Sequence, residues 1–223
     1  MARKFVVLLS AGLDSTVNFY AAKNEGDVAM ALTFDYGQRA AKKEIEHAAE
    51  ISRRGGVPHR VLALPWFRDF TKTSLVDTSM AIPTGKAKSV SIDDMNVSAE
   101  SAKAVWVPNR NGIFLNIAAA FAEGLGADAV VPGFNLEEAA TFPDNSEDYL
   151  LAASESFRFS TSNQVKVHCF TSHMMKSEIV ALGRRLGVPF DLIWTCYFGG
   201  DAPCGECESC LRFKRAKDQG GET

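Results

Sequence analysis

Between Lys4 and Tyr20 the chain reads KFVVLLSAGLDSTVNFY, and this stretch leaves few folds open. Phe5 to Leu9 is a continuous apolar run, which suits a strand covered on both faces better than a half-exposed one. The run stops at Ser10. Small residues follow, then Asp14-Ser15-Thr16 with apolar positions at Leu13, Val17, Tyr20 and Ala21, so a helix begins within a few residues of the strand's end. Strand, small-residue turn and helix together form an anion cradle. Ala11 and Gly12 let backbone N–H groups close on a phosphate, the free amides of the first helical turn point the same way, and Ser10, Ser15 and Thr16 add hydroxyls. Ala11 carries a Cβ, so the turn is expected to take a conformation open to L residues there. A turn of this kind also occurs with no ligand at all. The spacing fits neither the Gly-Lys-Ser/Thr phosphate loop nor the triple-glycine dinucleotide fingerprint.

Val28 to Phe34 reads as a second buried strand, ending in Asp35-Tyr36-Gly37-Gln38-Arg39. From Ala40 to Arg54, Ala41, Ile45, Ala48 and Ser52 share one helical face, and His59 to Leu64 supplies a third strand. Strands and helices alternating over short connections predict an α/β fold, a doubly wound and mostly parallel five-stranded sheet that gathers ligands at the strands' C-terminal ends. Residues 65–105 show no sustained period and read as a lid, a binding loop or an insert. Ile113, Phe114, Ile117, Ala118, Phe121, Ala122 and Leu125 then mark a helix ending at Gly124 or Gly126. Asn109, Arg110 and Asn111 open it, where free amides favour anions and Arg110 adds a forked donor.

A fourth strand, Ala129 to Pro132, runs into Gly133-Phe134-Asn135-Leu136-Glu137-Glu138 and Thr141-Phe142-Pro143-Asp144-Asn145-Ser146, a polar strand end suited to a substrate. Ser146 caps a helix running to Phe159. Val165 to Phe170 forms a fifth strand containing Cys169. Met175, Ile179, Leu182 and Leu186 mark a last core helix that opens with Lys176, read either as a solvated charge or as a phosphate partner.

Cys196, Cys204, Cys207 and Cys210 fall in the pattern C-x7-C-x2-C-x2-C. Four thiolates with turns between them suit a closed tetrahedral zinc site with a structural role, and an iron–sulfur cluster is the rival. The domain division expected is 1–190 for nucleotide binding and catalysis and 191–223 for a zinc-binding segment. A net charge of −3 in 223 residues offers a nucleic acid no basic footprint. No run reaches the roughly 18 apolar residues of a membrane span. A cytoplasmic chain with no nucleic-acid or membrane partner is expected.

Ser10-Ala11-Gly12-Leu13-Asp14-Ser15 resembles the SGGxDS signature of the PP-loop ATP pyrophosphatases, with Ala11 in place of the usual glycine. The remaining motifs narrow the likeness: Tyr36 to Arg39, Val107 to Asn111, Pro143-Asp144, and Cys196-Tyr197 with Cys204, Cys207, Cys210 and Arg212 are similar to those of the 7-cyano-7-deazaguanine synthases of the queuosine pathway. The likeness runs nearly the whole chain. It implies a PP-loop, adenine nucleotide alpha hydrolase-like fold with a zinc-binding appendage, and the cofactors ATP, Mg²⁺ and Zn²⁺. It also implies conversion of 7-carboxy-7-deazaguanine and ammonium to the nitrile through an adenylated acid and an amide.

On that resemblance ATP is expected at Leu9, Ser10, Ala11, Gly12, Leu13, Asp14, Ser15, Thr16, Val17, Phe34, Gln38 and Arg39. Catalysis is expected from Asp14, Ser15, Arg110 and Lys176, and the base is expected at Asn109, Arg110, Asn135, Glu137, Phe142 and Asp144. Relatives of this kind commonly pair as homodimers. Two stretches depart from the family. It commonly shows GYPDCR where this chain has Thr141 to Ser146, and vN..D where it has Asn135 to Glu138. Open alternatives are an amide-forming ligase on this or another carboxylate, and a tRNA-thiolating PP-loop enzyme, for which Cys169 would be the spare thiol.

Overall fold

Side chains alternate across a strand, so a central strand must bury both sets. The first strand does so: Phe5, Val6 and Val7 are all fully buried. The computed structural model describes residues 2–84 and 103–221. In it β1 (Arg3–Leu8), β2 (Gly26–Asp35), β3 (His59–Ala63), β4 (Ala129–Val131) and β5 (Lys166–Val167) form one sheet in the order β3-β2-β1-β4-β5. Every neighbouring pair is parallel. The chain winds outward from β1 to β3, then returns to place β4 against the other side of β1. That reversal opens a crevice beyond the C-terminal ends of β1 and β4, where doubly wound sheets hold ligands.

Helices cover both faces. Val6, Leu32 and Val130 pack with Leu115, Ala118, Ala119 and Ala122 of α4 (Arg110–Gly124). On the opposite face Phe5, Val7, Ala31 and Val131 meet Phe19 and Ala22 of α1 (Leu13–Glu25) and Ala48 and Ile51 of α2 (Ala41–Gly55). One turn, α3 (Phe67–Phe70), follows β3. Beyond β4 come α5 (Leu136–Ala139), a 3-10 turn at Pro143–Asn145, and α6 (Glu147–Ser160), capped by Ser146 Oγ accepting from the Tyr149 N–H at 3.2 Å. Then come α7 (Lys176–Arg185) and α8 (Glu208–Gln219). Most of the 65–105 stretch lies outside the described residues.

Three sequence expectations shift. The fifth strand is shorter than Val165 to Phe170, because after His168 bonds Val130 the chain leaves the ladder, and the Phe170 N–H donates to Asn18 Oδ1 at 2.8 Å. The most buried face of α4 is its small-residue face, Leu115-Ala118-Ala119-Ala122, with Ile113, Phe114, Ile117 and Phe121 at its margins. Helix α7 is turned so that Lys176, Ile179, Val180 and Gly183 face inward while Met175 stays 43% exposed.

The exit of β4 lies hard against the start of α1. A Cβ on Gly133 would sit 2.4 Å from the Ser15 backbone nitrogen and 2.6 Å from its Cα, and neither can yield as a side chain would. Gly133→Ala is expected to cost about 1–3 kcal/mol of stability. It should also displace the small-residue turn and so weaken the nucleotide binding expected there. A thermal melt and an ATP titration check both, and a variant that melts and binds as the parent does would disprove the contact.

Candidate active site

The turn after β1 is held by its own hydroxyls. Ser15 Oγ donates to the Gly12 carbonyl at 3.1 Å and accepts from the Ser10 N–H at 3.2 Å. The Thr16 N–H closes on the Gly12 carbonyl at 3.0 Å, which starts α1. Ala11 adopts φ +62°, the left-handed region that favours glycine, so the expectation of an ordinary L conformation is corrected. That conformation costs an L residue about 1–2 kcal/mol. Part of this is offset because the methyl is wholly buried against the β1 cluster. The loop keeps a glycine-like shape without a glycine.

This turn lines a cavity of about 250 Å³ at the crevice. Leu9, Ser10, Gly12, Leu13, Asp14, Ser15, Phe34 and Gln38 are on its wall. Ala11, Thr16 and Val17 lie buried behind it. Arg39 is not on the wall. Its guanidinium donates to the Asp77 carbonyl at 2.8 Å and to the Met80 carbonyl, tying down the segment after β3.

A second cavity, of about 160 Å³, adjoins the first. Trp106 and Phe142 contribute near-parallel rings with centroids 6.0 Å apart. Glu137, Asp144 and Arg212 add charge to this wall, and burial pushes the Asp144 carboxyl up despite Arg110 nearby. Asn109 lines neither cavity: it takes φ +49° at the N-cap of α4. Asn135 lines neither, since it is fully buried and its Oδ1 accepts from the Glu138 N–H at 2.9 Å. Asn135 therefore shapes the site from behind its walls, whereas Asn109 is exposed at the start of the helix.

The cavities share Leu75, Arg110, Glu138, Asn145, Tyr197 and Ser209. Arg110 makes no ion pair among the described residues. Burial opposes its charge, but neighbouring Tyr36 and the carboxylates of Asp144 and Glu138 more than compensate. Lys176 is 7% exposed and donates to Asp14 Oδ2 at 2.9 Å and Glu138 Oε1 at 2.8 Å, so its reading as a solvated charge is corrected. Burial disfavours this ammonium, and the two carboxylates overcome that and raise its pKa. Burial is the largest influence on both carboxyls: it raises Asp14 even beside Lys176, whereas for Glu138 the charge and hydrogen bond of Lys176, with Asn135 and Arg212, together outweigh it and hold the group below the usual range. Asp14 Oδ1 is buried with no hydrogen-bond partner.

Glu138 and Asn145 stand in the stretches expected near a substrate and Tyr197 in the Cys196-Tyr197 motif, but the sequence gives none of them, nor Ser209, a site role of its own. A signal existed for Glu138, because Asn135 followed three residues later by Glu is a helix-start pattern that fixes where that side chain points. For Tyr197 and Ser209 the signal was adjacency to Cys196 and Cys210.

The sulfurs of Cys196, Cys204, Cys207 and Cys210 all lie within 4.8 Å of one another. Tetrahedral zinc with Zn–S near 2.3 Å places sulfurs about 3.8 Å apart, so a small contraction accommodates the ion. Backbone N–H groups already point at the sulfurs as they would at thiolates: Cys204 and Phe198 donate to Cys196 Sγ at 3.3 and 3.4 Å, and Cys207 and Glu206 donate to Cys204 Sγ at 3.3 and 3.4 Å. The donor set fits zinc.

Residues 4–220 match the model of the queuosine biosynthesis protein QueC. A 7-cyano-7-deazaguanine synthase of Bdellovibrio bacteriovorus is 63% identical over 215 residues, covering 96% of this chain and 92% of the relative. The enzyme of the same name from Desulforamulus reducens is 53% identical, covering 95% and 92%. Among solved structures, a 4-thiouridine synthetase in complex with RNA and bound ATP superposes with a TM-score of 0.50 at 21% identity, covering 97% of this chain and 50% of that one, a likeness of fold.

Proposed function

The chain belongs to the QueC family, and on that premise we propose that it is a 7-cyano-7-deazaguanine synthase, converting 7-carboxy-7-deazaguanine to the nitrile at the expense of ATP, with ammonium as nitrogen source. The observation that carries the reading is the pair of joined cavities with Arg110 at their junction. One has a phosphate-gripping turn and the other an aromatic pair, so a nucleotide's α-phosphorus and a base's carboxylate can meet.

A carboxylate resists attack by ammonia until its oxygen becomes a leaving group. In this reading the turn from Ser10 to Ser15 grips the pyrophosphate, Lys176 and Arg110 offset its charge, and the carboxylate attacks the α-phosphorus to give an acyl-adenylate. Ammonia forms the amide, and a second adenylation on the amide oxygen lets it leave as the nitrile forms. Mg²⁺ would be held by Asp14, whose Oδ1 lacks a partner, and would supply charge neutralisation for the departing pyrophosphate. Zinc would be held by the four cysteines as a structural ion. Trp106 and Phe142 offer flat faces to the base, and Asp144 an acceptor for its N–H edge.

We assign residues 1–190 to the catalytic part and 191–223 to the zinc segment, and place the reaction in the cytoplasm, where ATP is supplied. Cys169 does not support a sulfur-carrying role: burial pushes its thiol up, and it bonds the Phe134 carbonyl at 3.4 Å. Incubation with Mg-ATP, ammonium and 7-carboxy-7-deazaguanine should give a nitrile by mass spectrometry. Amide alone, or no turnover by folded protein that binds ATP, would overturn the assignment.

A further inference from the structure

The reaction needs nitrogen delivered as a small cation at the point where the two cavities meet. Four residues of that junction carry oxygen on their side chains: Glu138, Asn145, Tyr197 and Ser209. Asn145 is 5% exposed, and its Nδ2 donates to Asp144 Oδ1 at 3.1 Å, which leaves its Oδ1 as the acceptor end. It stands where the family commonly has a cysteine. Glu138 commits Oε1 to Lys176 at 2.8 Å, keeps about a third of its side chain open, and lines both cavities. Ammonium is a tetrahedral cation with four N–H donors, and these oxygens can accept them, with Glu138 supplying negative charge; the cations beside it, Lys176 and Arg110, are the ones whose charge the nucleotide's phosphates take up in the synthase reading.

We propose that the junction is the ammonium seat, with Glu138 as its counter-charge and proton acceptor and Asn145 Oδ1 as a second acceptor. This rests on the synthase reading above. In the step, one ammonium proton passes to Glu138, and the freed nitrogen pair forms the C–N bond to the acyl carbon. The C–O bond to the adenylate breaks with its electron pair leaving on AMP, and the second nitrogen proton leaves on the AMP phosphate.

The two halves of the reaction separate this role from a structural one, because acid to amide consumes ammonium and amide to nitrile does not. With Glu138→Gln, the KM for ammonium should rise at least tenfold while that for ATP moves less than threefold. The acid-to-amide rate should fall at least tenfold relative to the amide-to-nitrile rate measured from supplied amide. Equal loss in both halves would mean that Glu138 merely positions Lys176, and would overturn the proposal. Rubidium, close to ammonium in size, gives a test on the unaltered protein: it should compete with ammonium in the first half and leave the second half within twofold. Absence of competition overturns the seat. Failure of the parent protein to convert supplied amide would instead sink the synthase reading.

Discussion

Lys176→Met is expected to lower acid-dependent release of AMP from ATP by about 10²–10³-fold, the usual effect of deleting one preorganised donor to developing charge. The side chain is nearly the same length and the helix is kept, so the loss isolates the ammonium. Stability should fall too. Lys176 bridges Asp14 and Glu138 at 2.9 and 2.8 Å. Removing one member of a buried ionic cluster costs about 3–5 kcal/mol because the others are left uncompensated. For a chain of this size that is of order 10 °C in melting temperature.

The pH dependence carries the sign. In the parent, Glu138 is held below its usual pKa, so it contributes stability above the unfolded-state value, lost as pH falls through the folded value. Asp14 is raised by burial and contributes in the opposite sense, a cost present above its folded pKa and relieved on acidification. Without the ammonium both carboxyls are raised. The variant's deficit should then be greatest near neutral pH and shrink progressively as pH falls from about 5 through the carboxylate range, disappearing only below the lowered folded value of Glu138 in the parent, where both groups are protonated in either state. Lys176 itself stays charged throughout that window, since its pKa is raised. A melting-temperature difference that does not shrink on acidification, or adenylation within tenfold of the parent, would remove Lys176 from the centre of the site.

The fold was legible because its signals are local. A continuous apolar run at Phe5 to Leu9 can be little other than a central strand, and alternating strand and helix periods over short connections leave a doubly wound sheet as the economical solution. The small-residue turn after β1 was legible for the same reason, as was the cysteine cluster, whose members are close in sequence. What was not legible depends on contacts across the chain. Lys176 looks like any exposed helix-opening lysine until Asp14, 162 residues away, is placed beside it. Arg39 sits in a motif that suggests a nucleotide contact, yet nothing local says that the Asp77 and Met80 carbonyls will take its donors. Asn135 carries the right chemistry to touch a substrate, but its backbone position at a helix start turns that chemistry to capping. Ala11 is the opposite case, where residue type suggests one conformation and close packing enforces another.

Cys207→Ser is the second change expected to have a large effect, and it reaches the reaction through the walls. Cys207 is fully buried in the same cluster as Phe5, Val7 and Trp194, and the Thr84 backbone bridges to it. Serine oxygen is a poorer zinc ligand than thiolate, so the ion should be lost from a site where its binding is worth about 10–16 kcal/mol in small zinc domains. That is as large as the whole stability of a typical domain, about 5–15 kcal/mol. Zinc content should drop from about one per chain to a small fraction, and the melting temperature by more than 10 °C. Activity should fail even where the protein stays folded. Trp194, Thr195 and Tyr197 flank Cys196, and Ser209 and Phe213 flank Cys210, and all five line the first cavity, while Tyr197, Glu208, Ser209 and Arg212 line the second. Releasing the ion should therefore loosen the walls of both cavities together, and on the proposed reading the KM for nucleotide and for base should both rise. Cys169→Ser, a cysteine outside the cluster, should keep its zinc and melt close to the parent. Iron with visible absorption in the parent protein would replace zinc with an iron–sulfur cluster, whereas a zinc-free Cys207→Ser protein with both KM values intact would detach the cluster from the active-site walls.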